Sequence, residues 1–144
     1  MIRILAKRWA TVLGVAVALS TPRALLAQGE ADAVRAVIQA FADGAATQDV
    51  ALLERTLHPA SVQYINGKDV RSVDRPTYLA AIRDRKMGGL PMTVAIQQLQ
   101  VESATAQAHA TFSAAPFTLS HALSLVKVEG RWMIVSTVVS VIPK

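Results

Sequence analysis

The chain has 144 residues, of which 52% are hydrophobic and 17% charged, and its formal net charge is +5. Four of the 15 basic residues fall within residues 1–27 and all ten acidic residues follow them, so residues 28–144 hold eleven basic against ten acidic side chains. This near neutrality gives no case for a nucleic-acid partner. The absence of cysteine excludes disulfides, a thiol nucleophile and thiolate metal sites.

Residues 1–27 have the layout of a secretory signal peptide. A basic start leads into an apolar run, Trp9 to Leu19, and small residues follow before Gln28. The apolar run is shorter than the roughly 20 residues that a membrane-spanning helix needs. The sequence therefore predicts cleavage after Ala27, a periplasmic or secreted protein without stable membrane insertion, and one mature domain over residues 28–144.

Three helices are predicted in the first half of the mature chain. The first covers about residues 30–46, where apolar side chains recur at helical spacing. Asp49 is a suitable N-cap for a second, short helix, which stops at His58 because the residue before a proline disfavours helical backbone. Asp74 is expected to cap the third helix, and Pro76 fits its first turn.

Five strands are predicted after the second helix. Three of them cover residues 61–66, 92–102 and 104–113, and a long hairpin closes the chain with Phe117–Val128 and Trp132–Ile142. The last strand is apolar on both faces, which is typical of a central strand covered on both sides. Helices followed by mostly antiparallel strands define an α+β domain in which one face of the sheet packs on the helices.

Several segments resemble the nuclear-transport-factor-2-like (NTF2-like) superfamily, which includes SnoaL-like polyketide cyclases, ketosteroid isomerases, scytalone dehydratases and a bacterial group labelled "putative lumazine-binding". The strongest similarity is the hairpin segment His121–Ile134, which resembles the ending common in that group, with a lysine and a later glycine-x-tryptophan-x-isoleucine. Gln48-Asp49-Val50, Leu57-His58-Pro59-Ala60 and Pro76-Thr77-Tyr78-Leu79 add to it. The resemblance implies a cone-shaped roll, with three N-terminal helices on a curved, mostly antiparallel sheet around a pocket, and often a homodimer.

The resemblance also implies positions for catalytic residues. In the isomerase members a tyrosine in the first helix donates to the substrate carbonyl and an aspartate in the first strand moves the proton, and these positions fall on Phe41 and Tyr64. Phe41 has no hydroxyl, and a tyrosine phenol, as at Tyr64, is a poor general base at neutral pH. His121 and Ala122 stand where the lumazine-binding group usually has aspartate and tyrosine. The motifs thus specify a fold better than an activity.

His121 is the strongest candidate for a functional side chain. It shares an apolar strand face with Leu119 and Leu123, and a neutral imidazole can accept or donate a proton near pH 7. Tyr64 could serve as its hydrogen-bond partner. No carboxylate is evident to orient the ring, so a pocket histidine satisfied by one hydrogen bond is the alternative. Trp132 is expected either near the pocket or as a core anchor of the hairpin.

The sequence predicts neither a metal nor a cofactor. The three histidines, His58, His109 and His121, have no metal-ligand spacing, and neither a Gly-rich phosphate loop nor a nucleophile elbow is present. His58 is expected at a helix end and His109 on a polar strand face.

Three functions remain open at this stage. The leading hypothesis is binding of a small, mostly apolar molecule in the cone, with Phe41, Tyr64, His121 and Trp132 as ligand-binding residues. A second is a dehydratase- or isomerase-like lyase in which His121 is the general base and Tyr64 the electrophile. A third is a dimeric interaction module that uses the apolar last strand.

Overall fold

The structure, a computed structural model, describes residues 21–144. Its helices are α1 (Pro22–Thr47), α2 (Val50–Thr56) and α3 (Arg75–Arg83), and its strands are β1 (Leu57–Asn66), β2 (Val70–Asp74), β3 (Thr93–Glu102), β4 (Thr105–Ser113), β5 (Phe117–Val128) and β6 (Arg131–Pro143). Most of the predicted signal peptide, residues 1–20, lies outside the described residues.

The six strands form one sheet in the order β2-β1-β6-β5-β4-β3. All neighbours are antiparallel except β1 and β6, which run parallel. The sheet bends where its register shifts, in the β1–β6, β3–β4 and β5–β6 pairs, because a bulge adds local twist. The predicted α+β class, with three helices packed on a curved and mostly antiparallel sheet, is confirmed, and so is the central position of the last strand.

The predicted caps explain how the chain turns between elements. The Asp49 carboxylate accepts the amide of Leu52 at 3.0 Å at the start of α2, and Asp74 accepts the amide of Thr77 at 2.9 Å at the start of α3. Buried side chains of α1, including Val34, meet the inner face of the sheet. The core thus lies between the helices and the concave side of the sheet.

Element boundaries differ from the prediction in three places. The first helix begins at Pro22 instead of residue 30, because proline fits the first helical turn. The predicted cleavage point therefore lies within α1, and cleavage there stays a prediction. The first strand begins at Leu57 instead of residue 61, with a register shift next to its proline. One further strand, β2, was not predicted, because it is a short edge strand whose residues are mostly exposed.

A bulge in β6 changes which of its residues face the helices. Leu125 pairs with Ile134, whereas Ser124 pairs with Ser136, so Val135 is an extra residue. The side chains of β6 that face the helices are therefore those of residues 132 and 134 before the bulge and those of residues 137, 139 and 141 after it. This shift explains why β6 looked apolar on both faces in the sequence.

Candidate functional site

A cavity of about 230 Å³ opens between the helices and the concave face of the sheet. Its walls come from α1, α3, four strands and the segment that links α3 to β3. The lining residues are Phe41, Ala45, Gln63, Ile65, Tyr78, Met87, Gly88, Leu90, Met92, Phe112, Phe117, Leu119, His121, Val139 and Val141. Side chains from distant parts of the chain thus share one largely apolar surface.

His121 lies in the wall of this cavity within a cluster of aromatic rings. Its imidazole stacks on Phe112, with ring centroids 4.2 Å apart, and meets Phe41 edge to face at 6.1 Å. The residue is only 3% exposed, and neither ring nitrogen has a hydrogen-bond partner among residues 21–144. Burial lowers the pKa of His121 from 6.5 to about 4, so the ring is neutral at pH 7.

Gln63 and Tyr78 supply the other buried polar groups of the wall. Burial raises the pKa of the Tyr78 hydroxyl above its usual range, and the nearby amide of Gln63 opposes part of that shift, so the hydroxyl keeps its proton at pH 7. The side-chain nitrogen of Gln63 has no partner within the described part of the chain. Of the described residues, none that lines the cavity carries a charged side chain at this pH.

Two further buried hydroxyls, those of Ser61 and Thr137, lie close to Gln63 in the sheet. Ser61 precedes Gln63 by two residues on the same face of β1, and Thr137 of β6 pairs directly with Gln63. Both hydroxyls are buried, and neither has a hydrogen-bond partner among residues 21–144. The inner face of the sheet thus holds an unusual concentration of unpaired polar atoms, since most buried polar groups in proteins are hydrogen-bonded.

The segment after α3 forms one side of the cavity. Gly88 has φ +76°, and a Cβ there would lie 2.2 Å from the carbonyl oxygen of Ala45, so this close approach requires glycine. The next amide, of Gly89, donates to the same carbonyl at 2.9 Å. Gln48 donates to the carbonyl of Met87, also at 2.9 Å. These contacts fix the segment against the end of α1.

The structure brings only two of the four predicted ligand-binding residues into the cavity. Phe41 and His121 line it, whereas Tyr64 and Trp132 do not. Tyr64 is 40% exposed on the opposite face of β1, because Ser61 and Gln63 occupy the inward positions of that strand. The expected hydrogen bond between Tyr64 and His121 is therefore wrong, since both ring nitrogens of His121 lack a partner among residues 21–144.

Trp132 lies at the other end of β6 and anchors the hairpin to α1. Its indole nitrogen donates to one carboxylate oxygen of Glu30 at 2.6 Å, and Lys127 donates to the other at 2.5 Å. Val139, the neighbour of His121, lies seven positions after Trp132 along β6, which corresponds to roughly 23 Å. We call this paired group, Glu30, Lys127 and Trp132, the Glu30 cluster.

The remaining histidines have surface positions. His58 is half-buried and lies in β1, since α2 already ends at Thr56, and its Nδ1 accepts the amide of Ala60 within the same strand at 3.1 Å. His109 is exposed on β4. Within residues 21–144, no group of three or more histidine, cysteine, aspartate or glutamate side chains is placed to hold a metal ion. No helix in this part of the chain combines the length and apolar character needed to cross a membrane.

Sequence reasoning missed Gln63, Tyr78 and the segment over residues 87–92 as parts of the site. Gln63 shares one face of β1 with Ile65, two positions further on, and that apolar residue was the available signal for the inward face. Tyr78 stands out in the sequence only as part of the Pro76-Thr77-Tyr78-Leu79 segment. The segment over residues 87–92 carries no local signal for a cavity wall, because its position depends on contacts with α1.

The fold and the cavity together define an NTF2-like α+β roll. Similar solved structures include an NTF2-like protein of unknown function from Silicibacter pomeroyi, with 20% identity, a TM-score of 0.72 and coverage of 80% of this chain and 98% of that one. A second, from Shewanella baltica, has 18% identity, a TM-score of 0.72 and coverage of 81% and 97%. A ketosteroid isomerase-like protein from Erwinia carotovora has 16% identity, a TM-score of 0.65 and coverage of 80% and 98%. At these identities the likeness shows the fold alone.

The family follows from the sequence of the same domain. Residues 29–140 match the family described as "Putative lumazine-binding", and the chain belongs to that family. No curated protein matches the chain.

Proposed function

We propose that this protein binds a small, mostly apolar molecule in the cavity between its helices and its sheet. The observation that carries the proposal is a largely apolar cavity of about 230 Å³, in whose wall the buried Gln63 and His121 have nitrogen atoms without a partner in the described chain. Ligand sites typically combine an apolar lining with a few polar groups that orient the ligand. An apolar cavity of roughly 150 Å³ can hold benzene, so this volume suits a compound of one or two rings.

The lyase hypothesis has weaker support from the same residues. A general base works best when its pKa lies near the working pH, and burial lowers the pKa of His121 to about 4. Tyr64, the proposed electrophile, lies on the other face of β1. Among the described residues that line the cavity, no carboxylate is present to orient the imidazole. These features favour binding over proton transfer.

Naphthalene is a suitable first probe, because it has two fused rings and no polar group. We expect saturable binding by the wild type in ligand-observed NMR. Val139→Phe should abolish binding, since Val139 lines the cavity, whereas Val138→Phe should preserve it, since Val138 is 48% exposed on the other face of β6. Equal binding by both variants, or none by the wild type, would contradict the proposal.

We also infer that the protein is exported and acts as a homodimer. Export is supported by the basic start and apolar run of residues 1–27. A dimer is supported by half-exposed apolar side chains on the outer face of the sheet, where Tyr64 pairs with Val138 between β1 and β6.

Native mass spectrometry of the protein purified from the periplasm tests both inferences. A chain that begins at Gln28 and assembles as a dimer is the expected result, and Tyr64→Lys should convert the dimer to a monomer. Recovery of the chain at full length and only in the cytoplasmic fraction would contradict export, and a wild-type monomer at micromolar concentration would contradict the dimer.

A further inference from the structure

Two of the unpaired polar side chains, Gln63 and His121, line the cavity from strands on either side of β6. Gln63 pairs with Thr137 of β6, and His121 pairs with Val139, two residues further along the same strand. The two backbones are therefore about 10 Å apart across the sheet, since neighbouring strands lie roughly 5 Å apart. A single small molecule lying over β6 can meet both side chains.

The hydrogen-bonding capacity of this pair is mostly that of a donor. The Gln63 amide nitrogen carries two N–H donors and has no hydrogen-bond partner among residues 21–144. A neutral His121 adds one N–H donor and one acceptor nitrogen. Its ring nitrogens are covered in this structure, but rotation about the terminal side-chain torsion, which is broad for histidine, can turn one toward the cavity.

The cavity also lacks a counter-ion for a charged ligand. None of its lining side chains, all within residues 21–144, is lysine, arginine, aspartate or glutamate. Two cationic side chains bond to segments next to the cavity. Arg85 donates to Gln48, and Lys144 donates to the carbonyl of Ala114. Neither side chain lines the cavity wall. Burying an unpaired charge there would be costly, whereas burying a carbonyl opposite free donors would not.

We propose that Gln63 and His121 select an uncharged ring compound that bears a carbonyl group, such as a carboxamide, lactam or ketone. This inference rests on the proposed function and adds the chemical class of the ligand. The apolar rings of the ligand occupy the space beside Phe41 and Leu119. Its carbonyl oxygen accepts from Gln63 or His121, and a carboxamide or lactam nitrogen can donate to the acceptor nitrogen of the imidazole.

Three probes of the same ring size test this selectivity: naphthalene, 2-naphthamide and 2-naphthoate. Calorimetry on the full chain at neutral pH should show 2-naphthamide binding about tenfold more tightly than naphthalene, as expected for one or two hydrogen bonds to otherwise unpaired groups. The naphthoate anion should bind at least about 100-fold more weakly than the amide, because its charge would be buried without a partner.

Three variants assign the selectivity to particular side chains. Gln63→Met and His121→Leu should each lower the ratio of the affinity for the amide to the affinity for naphthalene from about tenfold towards one. Thr137→Val is the matched control, because it removes an equally buried and unpaired polar atom that does not line the cavity, and it should leave both affinities unchanged.

The outcomes separate this inference from the function on which it rests. Equal affinity for all three probes, or an amide preference that survives both cavity variants, would overturn the selectivity while leaving the binding function in place. Failure of every probe to bind would overturn the binding function itself.

Discussion

The two ends of the helix–sheet interface differ in whether their polar side chains have hydrogen-bond partners. At one end, the Glu30 cluster satisfies a carboxylate with two donors, an ammonium and an indole N–H, and so joins α1 to the turn of the final hairpin. At the other end, His121, Gln63 and Thr137 are buried and carry atoms without partners among residues 21–144. Both groups lie on the same two layers, so their difference is one of pairing and not of position in the fold.

This difference separates groups that hold the fold together from groups available to a ligand. A paired polar cluster contributes to the free energy of unfolding, and its loss should destabilise the protein. An unpaired buried group costs free energy in the empty protein, and its replacement by an apolar side chain of similar shape should be neutral or stabilising. Substitutions at the two ends should therefore have effects of opposite sign.

The largest effect is expected at Trp132. Trp132→Ala removes a buried indole from the core and should lower the free energy of unfolding by about 3–5 kcal/mol, measured by urea denaturation. Trp132→Phe keeps most of the packing but loses the N–H donor to Glu30, and it should give a smaller loss. Equal losses in the two variants would show that the hydrogen bond outweighs the packing of the indole.

The next largest effect is the pH dependence that His121 confers. Its pKa is about 4 in the folded protein and near 6.5 when exposed, so the unfolded chain binds a proton first as the pH falls. The free energy of unfolding should therefore decrease by up to about 3 kcal/mol between neutral pH and pH about 4.

Urea denaturation of His121→Leu at both pH values provides the comparison for that effect. The variant should lack this part of the pH dependence, while the carboxylates that titrate in the same range remain common to both proteins. Parallel curves for wild type and variant would show that His121 is not held neutral by the fold.

A smaller effect of opposite sign is expected at Thr137. Thr137→Val removes a fully buried hydroxyl without a partner in the described chain, and it should leave the stability unchanged or raise it by about 1 kcal/mol. Thermal unfolding of the ligand-free protein measures this change. A clear loss of stability would mean that the hydroxyl is satisfied in solution.

The smallest effect is expected at Glu30. The hydrogen bonds from Lys127 and Trp132 lower the pKa of the Glu30 carboxyl below its usual value of 4.5. The contribution of the ionised Glu30 to the free energy of unfolding is therefore present above pH 4.5, and it is lost as the pH falls through the lowered pKa. Glu30→Gln should lower the melting temperature slightly at neutral pH and low salt, and less at high salt, because the cluster is partly exposed. A salt-independent loss would point to packing instead.

The sequence predicted the order of the elements well because their signals are local. Asp49 and Asp74 were identified as helix caps from their own positions, and the last strand was identified as central from its apolar residues on both faces. The inward face of β1 was not predictable in the same way. That strand alternates Ser61 and Gln63 with Val62 and Tyr64, and hydrophobicity alone favours the wrong set.

Long-range pairing decided the composition of the candidate site. The sequence by itself determined the α+β class, the three helices and the apolar face that carries His121, because periodicity and capping act over a few residues. Only the tertiary structure placed Gln63 and Tyr78 beside that face and moved Tyr64 and Trp132 away from it. The physical reason is that the parallel β1–β6 pairing and the bulge at Val135 set which side chains point inward. The first joins residues about 70 positions apart along the chain, and the second is defined only by the register in which β5 pairs with β6.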